Sequence, residues 1–554
     1  MRFVIVESLI IFFFLTSVSY AQTTTIPSSA DAARFEKNQK QKYLQPNEKY
    51  SLGKSVIEDP EIPDQARNIN FVFTDLQIEG STIFKNEELK KIYQEYLGTK
   101  ISLYTLWQIA GKITKYYHSR GYFLSIATIP SQEISQSGIA KIKVVEGYID
   151  SIELDEEAQK NRIVRSLLKK LESEKPTNIK TLESVMLRLN DLPDRLFEAI
   201  IEPSPNNPGA VKLLIISKKK KDYGQVTIDN YNSKYIGSEE AIFQYNKSLT
   251  QNSKTAFSYI SSLPYGNLQY FNLDNNINIS SDLILGIEGG KTETELTASL
   301  KRLDITSDSK HVGINLTKQF IRQRQQNFSI QFGLEGRNIN SEILSTTLAK
   351  DRIREAIVSF MYDGSDNFKG YNYVNLNLIN GLTHFSSSKK TDKNLSRTRV
   401  DPNYKILELS INRFHNFNHE LVMLTSMSAQ LANSRLYSSS KFAYGGQSYG
   451  RGYDPSFITG DRGINGAVEL RYNSIPNWQN ISFAPFIFYD LGRVWNINED
   501  KEILSSIGYG IRTESSKGVS GSFTIATPIE DRSRFVNYIE QRDTKYLFQI
   551  SYKF

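Results

Sequence analysis

Apolar and polar residues take turns along much of this chain. The stretch Phe328-Ser329-Ile330-Gln331-Phe332-Gly333-Leu334-Glu335 alternates apolar with small or polar side chains, and Val374-Asn375-Leu376-Asn377-Leu378 repeats the pattern. At the carboxy terminus Tyr546, Phe548, Ile550, Tyr552 and Phe554 share one face, with Gln549, Ser551 and Lys553 on the other. A period of two places successive side chains on opposite sides of a strand. From about residue 222 to the end, helical period is nearly absent, so the whole tract predicts β-structure. Such alternation fits a soluble sandwich or a transmembrane barrel. The barrel is favoured by the aromatic load (31 Tyr and 30 Phe against 3 Trp), by the length of the tract and by the aromatic last strand. At ~9–11 residues per tilted strand plus turns and loops, about 16 strands fit residues 218–554.

Ahead of this tract the period changes. Leu106, Ile109, Ala110, Ile113 and Tyr117 form a helical stripe that Gly121 ends. A strand-like segment over 71–78 and a further helical stretch precede the stripe, and strands around 123–129 and 140–146 follow it. Residues 149–154 start a second series: helices near 157–172 and 178–190, then strands over 197–201 and 211–217. Residues 71–147 and 148–217 therefore predict two units of β-α-α-β-β order, each with helices on a small sheet. The free edge of such a sheet, beside a helix, suits pairing with an extended peptide.

The amino terminus assigns a compartment. Arg2 is followed by a mostly apolar run including Val4, Ile5, Leu9, Phe12, Phe13 and Phe14, and then by Ser19-Tyr20-Ala21. Residues 1–21 thus read as a secretory signal cleaved after Ala21. Residues 22–70 are polar, with Pro27, Pro46, Pro60 and Pro63. A helix is predicted over 29–42, with Ser29 as N-cap and Ala30, Ala32, Ala33 and Phe35 within it, and the remainder reads as a linker. The exported chain has no cysteine, hence neither disulfides nor thiolate metal sites. Its net charge of +7 spreads over 67 basic and 60 acidic residues, and Lys218-Lys219-Lys220-Lys221 reads as a solvated junction, so nucleic acid is not an expected partner.

Candidate chemistry is sparse. Gly446-Gln447-Ser448-Tyr449-Gly450 spells G-x-S-x-G, but His118, His311, His384, His415 and His419 all precede Ser448, which breaks the hydrolase order. No metal, phosphate or dinucleotide fingerprint is present, and the spacing of His415 and His419 on a strand does not build a metal site. No enzyme activity, cofactor or metal is expected. What stands out is Arg451 in the glycine-rich stretch 445–455. Strand alternation in Phe486-Ile487-Phe488-Tyr489-Asp490-Leu491-Gly492 sends Ile487, Tyr489 and Leu491 to lipid, and Phe488, Asp490 and Gly492 inward. Gly492 leaves space beside the carboxylate. A glycine-rich loop folded into the lumen would bring Arg451 to Asp490 as a bidentate pair. Spacing alone equally allows both charges to be solvated separately.

Over nearly its full length the chain resembles the outer-membrane transporters of two-partner secretion, the haemolysin-activator (TpsB, FhaC/ShlB-like) family. "RGY" (Arg451, Gly452, Tyr453) matches the signature of the family's inward-folded loop, and "FYDLG", with Phe488, Asp490 and Gly492, its strand signature. "IDNYNSKYIG" at 228–237 looks like the first barrel strand, and "SRGYFLSIATIPSQ", "VVEGYI" and "LNDLP" look like two periplasmic POTRA domains. The resemblance implies a sixteen-stranded barrel in a Gram-negative outer membrane and an Arg451–Asp490 lock. It also implies an amino-terminal helix able to plug the pore and passive export of a cognate exoprotein bound by the POTRA domains. Assembly would pass through the barrel-assembly machinery. Gly450 departs from the valine or leucine frequent in the family, which implies a more flexible loop. The alternatives are an outer-membrane protein insertion factor of the same superfamily, which usually carries more POTRA units, and a solute porin, which has no use for two.

Overall fold

The computed structural model describes residues 27–41, 64–134, 137–207, 209–418, 420–473, 475–478, 481–499, 501–531 and 543–554. The signal sequence, most of the linker and His419 lie outside these residues. Sixteen antiparallel strands, from Tyr223–Asp229 to Lys545–Lys553, each pair with the next and close into a barrel. The closing seam runs from Gln549↔Asp229 to Lys553↔Gln225. One strand is interrupted, so that Arg462–Tyr472 and Ile475–Trp478 both pair with Ile481–Trp495.

Alternation sorts the two faces as the sequence predicts. On Ile305–Arg322, Val312, Ile314 and Leu316 are exposed, whereas Ser307, Ser309 and His311 are buried toward the lumen. Ile487, Tyr489 and Leu491 are exposed; Phe488 and Asp490 are buried. Tyr546, Ile550, Tyr552 and Phe554 are exposed on the last strand, and Phe548 is half-buried. The first strand lies earlier than the resemblance placed it. Beyond Asp229 the chain turns, with Asn232 N donating to Ser238 O, and the 228–237 match falls mainly on that turn.

In the first amino-terminal unit, Asp75–Glu79 runs parallel to Ile139–Val145, which pairs antiparallel with Ile126–Thr128. Helices Asn86–Tyr93 and Leu103–Ser119 cover this sheet; Ser102 caps the second of them by accepting from Thr105 N at 3.2 Å. Leu89, Leu106, Ile109, Ile113 and Tyr117 bury against Phe73, Ala140 and Ile142. The predicted strand over 71–78 is two strands. Asn70–Phe73 pairs with Thr99–Ser102, and at Thr74 the chain changes partners, its N–H donating to Gly138 O.

The second unit repeats the order with Tyr148–Leu154, helices Arg162–Ser173 and Ile179–Asn190, and strands Arg195–Pro203 and Ala210–Lys219. A short helix, Glu156–Gln159, is split from the first of its helices because Asn161 caps a new start by accepting from Ile163 N. Gly121 sits where the units meet. Its φ is +95°, and a Cβ there would lie 2.6 Å from the Asn178 side chain, so glycine both ends one helix and admits the start of another.

The second unit is fixed to one mouth of the barrel. Arg322 forks onto Asp191 with both contacts at 2.7 Å, Arg188 donates to Ser281 O at 2.9 Å, and Asn161 donates to Asn252 Oδ1 at 2.7 Å. The lysine run at the junction is not uniformly solvated. Lys218 meets Glu198 at the surface, but Lys220 Nζ donates to Asn190 O and Leu192 O at the end of the last helix. Burial holds the Lys220 ammonium below the usual lysine range.

Because the chain has no cysteine, single substitutions report facing directly. Leu378→Cys is expected to react with a lipid-dissolved maleimide and Asn377→Cys only with a water-soluble one. The reverse pattern would place the strand in the opposite orientation.

Candidate functional site

Between Leu421–Ala432 and Arg462–Tyr472, at the mouth far from the two units, the chain leaves the wall and folds inward. Two short strands, Phe442–Tyr444 and Ile458–Gly460, pair to form the neck of this loop. Gly445, Gly446 and Gly450 all take positive φ, which turns the tip and aims Arg451 at the wall.

Arg451 meets Asp490 as a fork, Nη2 to Oδ1 at 2.8 Å and Nε to Oδ2 at 3.0 Å. The loop backbone adds Arg451 N at 3.0 Å and Gly450 N at 3.2 Å, both to Oδ2, on a carboxylate that is 0% exposed. The guanidinium also lies over the Phe488 ring, 3.5 Å from its centroid. Gly452 N donates to Ser506 Oγ at 3.3 Å, and Tyr453 Oη to Ser505 O at 3.2 Å. The residues singled out in the sequence, Arg451, Asp490, Gly450, Gly452, Tyr453 and Phe488, thus meet in one buried cluster.

Two features differ from expectation. The space beside Gly492 is taken by a tyrosine: a Cβ at 492 would lie 2.0 Å from Tyr444 Cδ2, and Tyr444 is fully buried. The same ring stands against Gly450, where φ is +80° and a Cβ would lie 2.7 Å away. Gly450 is therefore not slack, because no branched side chain fits there.

Sequence reasoning missed Glu469. It accepts from Arg451 Nη1 at 2.8 Å and from Arg471 at 2.9 Å, and Arg512 also pairs with it. A signal was present, since alternation in Glu469-Leu470-Arg471 puts both charges on the lumen side. Of the aromatic floor, Phe488 was legible and Phe486 was missed, as were the glycines that face them. Phe486 and Phe488 stand opposite Gly510 and Gly508, where a Cβ would come within 2.6 and 2.5 Å of the rings.

A helix, Ala32–Gln41, crosses the lumen beside the loop. Its start is capped by Asp31, which accepts from Ala33 N at 2.9 Å and Arg34 N at 3.3 Å; Ser29 lies instead in a preceding 3-10 turn. Glu36 accepts from Thr292 at 2.6 Å and pairs with Arg337 at 3.3 Å and His311 at 3.4 Å. Lys37 pairs with Glu408 at 2.9 Å, and Phe35 meets Tyr270 edge-on. The helix touches the loop as well, through Asn38 to Ser456 Oγ at 3.3 Å, and the turn before it does so through Ser28 to Thr459 at 3.4 Å. Beside helix and loop remains a cavity of about 1400 Å³ with amide and hydroxyl walls, Asn315, Gln331, Ser359, Asn375 and Asn412 among them. Ser448 of the G-x-S-x-G match is exposed at the loop tip. Among the described residues no group of His, Asp and Glu is arranged to hold a metal.

Residues 217–513 match the model of the family "Haemolysin secretion/activation protein ShlB/FhaC/HecB", and residues 71–147 that of the ShlB-type POTRA domain. The chain is 22% identical over 526 residues to the heme/hemopexin transporter protein HuxB of Haemophilus influenzae (strain 86-028NP), covering 90% of this chain and 92% of that one. It is 22% identical over 542 residues to the outer membrane transporter CdiB of Dickeya dadantii (strain 3937), covering 92% and 93%. Among solved structures, CdiB from Escherichia coli superposes with a TM-score of 0.73 at 18% identity over 96% of this chain and 100% of that one. BamA from Haemophilus ducreyi lacking POTRA domains 1–3 gives 0.52 at 13% identity over 87% and 100%.

Arg451→Ala and Asp490→Ala are each expected to lower the temperature at which the barrel loses its folded gel mobility. Removing one partner of a desolvated pair costs ~3–5 kcal/mol, and less where lumen water reaches it. The double variant should unfold little earlier than either single variant; independent, additive losses would contradict the pairing. Gly450→Val should resemble Arg451→Ala, since it collides with Tyr444 while leaving the charges in place.

Proposed function

Because the chain belongs to the family of haemolysin secretion/activation proteins ShlB/FhaC/HecB, we propose that this outer-membrane transporter of two-partner secretion exports one cognate large exoprotein through its lumen. The POTRA domains stand in the periplasm, at the mouth to which the second unit is fixed. The observation that carries the reading is their position at the entrance of a closed barrel whose lumen holds a helix and a loop.

Partner capture rests on the domains' free edges. In the first sheet the edge strands are Asp75–Glu79 and Ile126–Thr128; in the second they are Tyr148–Leu154 and Arg195–Pro203. Main-chain groups along such an edge pair with an extended segment of any sequence, and side-chain pockets beside it select among segments. An extended segment of the exoprotein adds to one of these edges and is delivered to the lumen. The helix then leaves, the loop shifts from Asp490, and the exoprotein passes outward. No nucleotide enters this scheme. The barrel reaches the membrane through the barrel-assembly machinery and meets lipid with its apolar belt.

The Arg451–Asp490 pair acts as a lock that sets the resting position of the loop. Its backbone contacts to Asp490 make the loop's position depend on one carboxylate.

Deleting residues 71–147 is expected to abolish secretion of the cognate exoprotein while the barrel still inserts. Secretion that survived the deletion would place recognition elsewhere. Removing residues 22–45 is expected to raise conductance in planar bilayers, and an unchanged conductance would reject the plugging role of the helix.

A further inference from the structure

A second arginine–carboxylate pair, with its carboxylate buried and its arginine half-buried, lies at the far mouth, the extracellular one in this reading. Asp461 follows the neck strand Ile458–Gly460 directly and is 0% exposed. Arg397, from the loop joining Gly370–Gly381 to Lys405–Asn416, reaches it with Nη1 to Oδ1 at 2.5 Å and Nη2 to Oδ2 at 3.5 Å. The same carboxylate accepts Leu436 N at 3.0 Å and Ile497 N at 3.2 Å. The same guanidinium donates to Leu436 O at 2.8 Å and to Asn496 Oδ1 at 3.2 Å. One ion pair therefore gathers the neck of the inward loop and three further segments of the mouth.

The gathered segments form the docking surface of the helix. Arg34 Nη1 donates to Lys441 O at 3.0 Å, and Nη2 to Ser438 O. Ser438 is in turn tied to the Arg397 loop, its N–H donating to Ser396 Oγ at 3.0 Å. Around the Ala33 side of the helix, Val400, Tyr404, Leu436 and Tyr437 are buried together. These acceptors are backbone carbonyls, so their positions depend on where the segment 436–441 is held. Arg397 and Asp461 hold it.

We propose that Arg397 and Asp461 form an outer latch, whose role is to position the carbonyls that retain Arg34 and so keep the helix in the lumen. The proposal rests on the plugging role of the helix. A guanidinium suits the task because its fork and spare N–H groups serve a carboxylate, a carbonyl and an amide at once, which an ammonium point charge does not.

The test uses the full chain and measures single-channel conductance in planar bilayers, with heat-modifiable gel mobility as the check of assembly. Arg397→Gln is expected to raise the open fraction about tenfold, the effect of 1.4 kcal/mol on the closed state. Arg34→Gln should do the same from the helix side, and the two together should add little. In a chain lacking residues 22–45, Arg397→Gln should change nothing. Arg397→Lys, which keeps the charge but not the fork, should open the channel less than Arg397→Gln and serves as the variant if the glutamine form does not assemble. If removal of the helix opens the channel but neither Arg397 variant does, the latch is wrong and the plug stands. If Arg397→Gln raises conductance further in the helix-less chain, the loop blocks the pore by itself and the latch is again wrong. If helix removal leaves conductance unchanged, the plugging role fails and the latch fails with it.

Discussion

In a bilayer every backbone N–H and C=O must find a partner within the protein, and a closed ring of strands satisfies this without an edge. Closure of this chain at Gln549↔Asp229 to Lys553↔Gln225 is the constraint from which the rest follows. Once the strands are committed, side chains alternate between lipid and lumen, so charges such as Glu469, Arg471, Asp490 and Arg512 fall inside. The polar lumen in turn determines what can be housed there. A loop and a helix entering such a space must match the hydrogen-bonding groups of the wall as well as its apolar patches.

Ion pairs therefore join small apolar clusters, Phe35 with Tyr270 and Tyr444 with Tyr453 among them, in holding the internal elements. Asp490 and Glu469 grip Arg451; Glu36 sits among Thr292, His311 and Arg337; Asp461 grips Arg397. A buried pair contributes modest net stability, because desolvation offsets most of its attraction, yet it is exacting about geometry. Elements held this way occupy one position firmly, and in the proposed export cycle they would separate without unfolding the barrel, since a wetted lumen offers each charge water in exchange. The two amino-terminal units are built on the other principle. Leu89, Leu106, Ile109 and Ile113 in the first, and Val164, Leu171 and Leu213 in the second, form dry cores suited to permanent shape.

Much of this was legible in the sequence because period carries physical meaning. Alternation in 486–492 assigned Ile487 and Tyr489 outward and Asp490 inward, and the Leu106–Tyr117 stripe marked a helix face. What escaped depended on contacts between distant segments. Tyr444 fills the space beside Gly492 from across the loop, and nothing local announces it. Gly450 reads as slack from its residue type alone, whereas its backbone takes positive φ against that ring. The strand over 71–78 split at Thr74 because two different strands compete for it, and apolar pattern does not distinguish one partner from two. Lys220 looked solvated because its acceptors are the carbonyls of a helix end 28 to 30 positions away.

The helix in the lumen and the first POTRA domain belong to one chain, joined by residues 42–63. A helix that leaves the lumen is therefore a leashed ligand. At ~3.3–3.6 Å per residue, the 22 residues from 42 to 63 can span ~79 Å at most. Within that radius a tethered group returns as an intramolecular partner, at an effective concentration set by the length of its connection. Re-closure by such a helix would be a first-order event, independent of how many copies of the transporter the membrane holds. Under the proposed plugging role, an arriving exoprotein would compete with a rival that never diffuses away, so only a cargo bound long enough on the POTRA domains would outlast the return of the helix. The length of the leash, rather than the strength of any single contact of the helix, sets that interval.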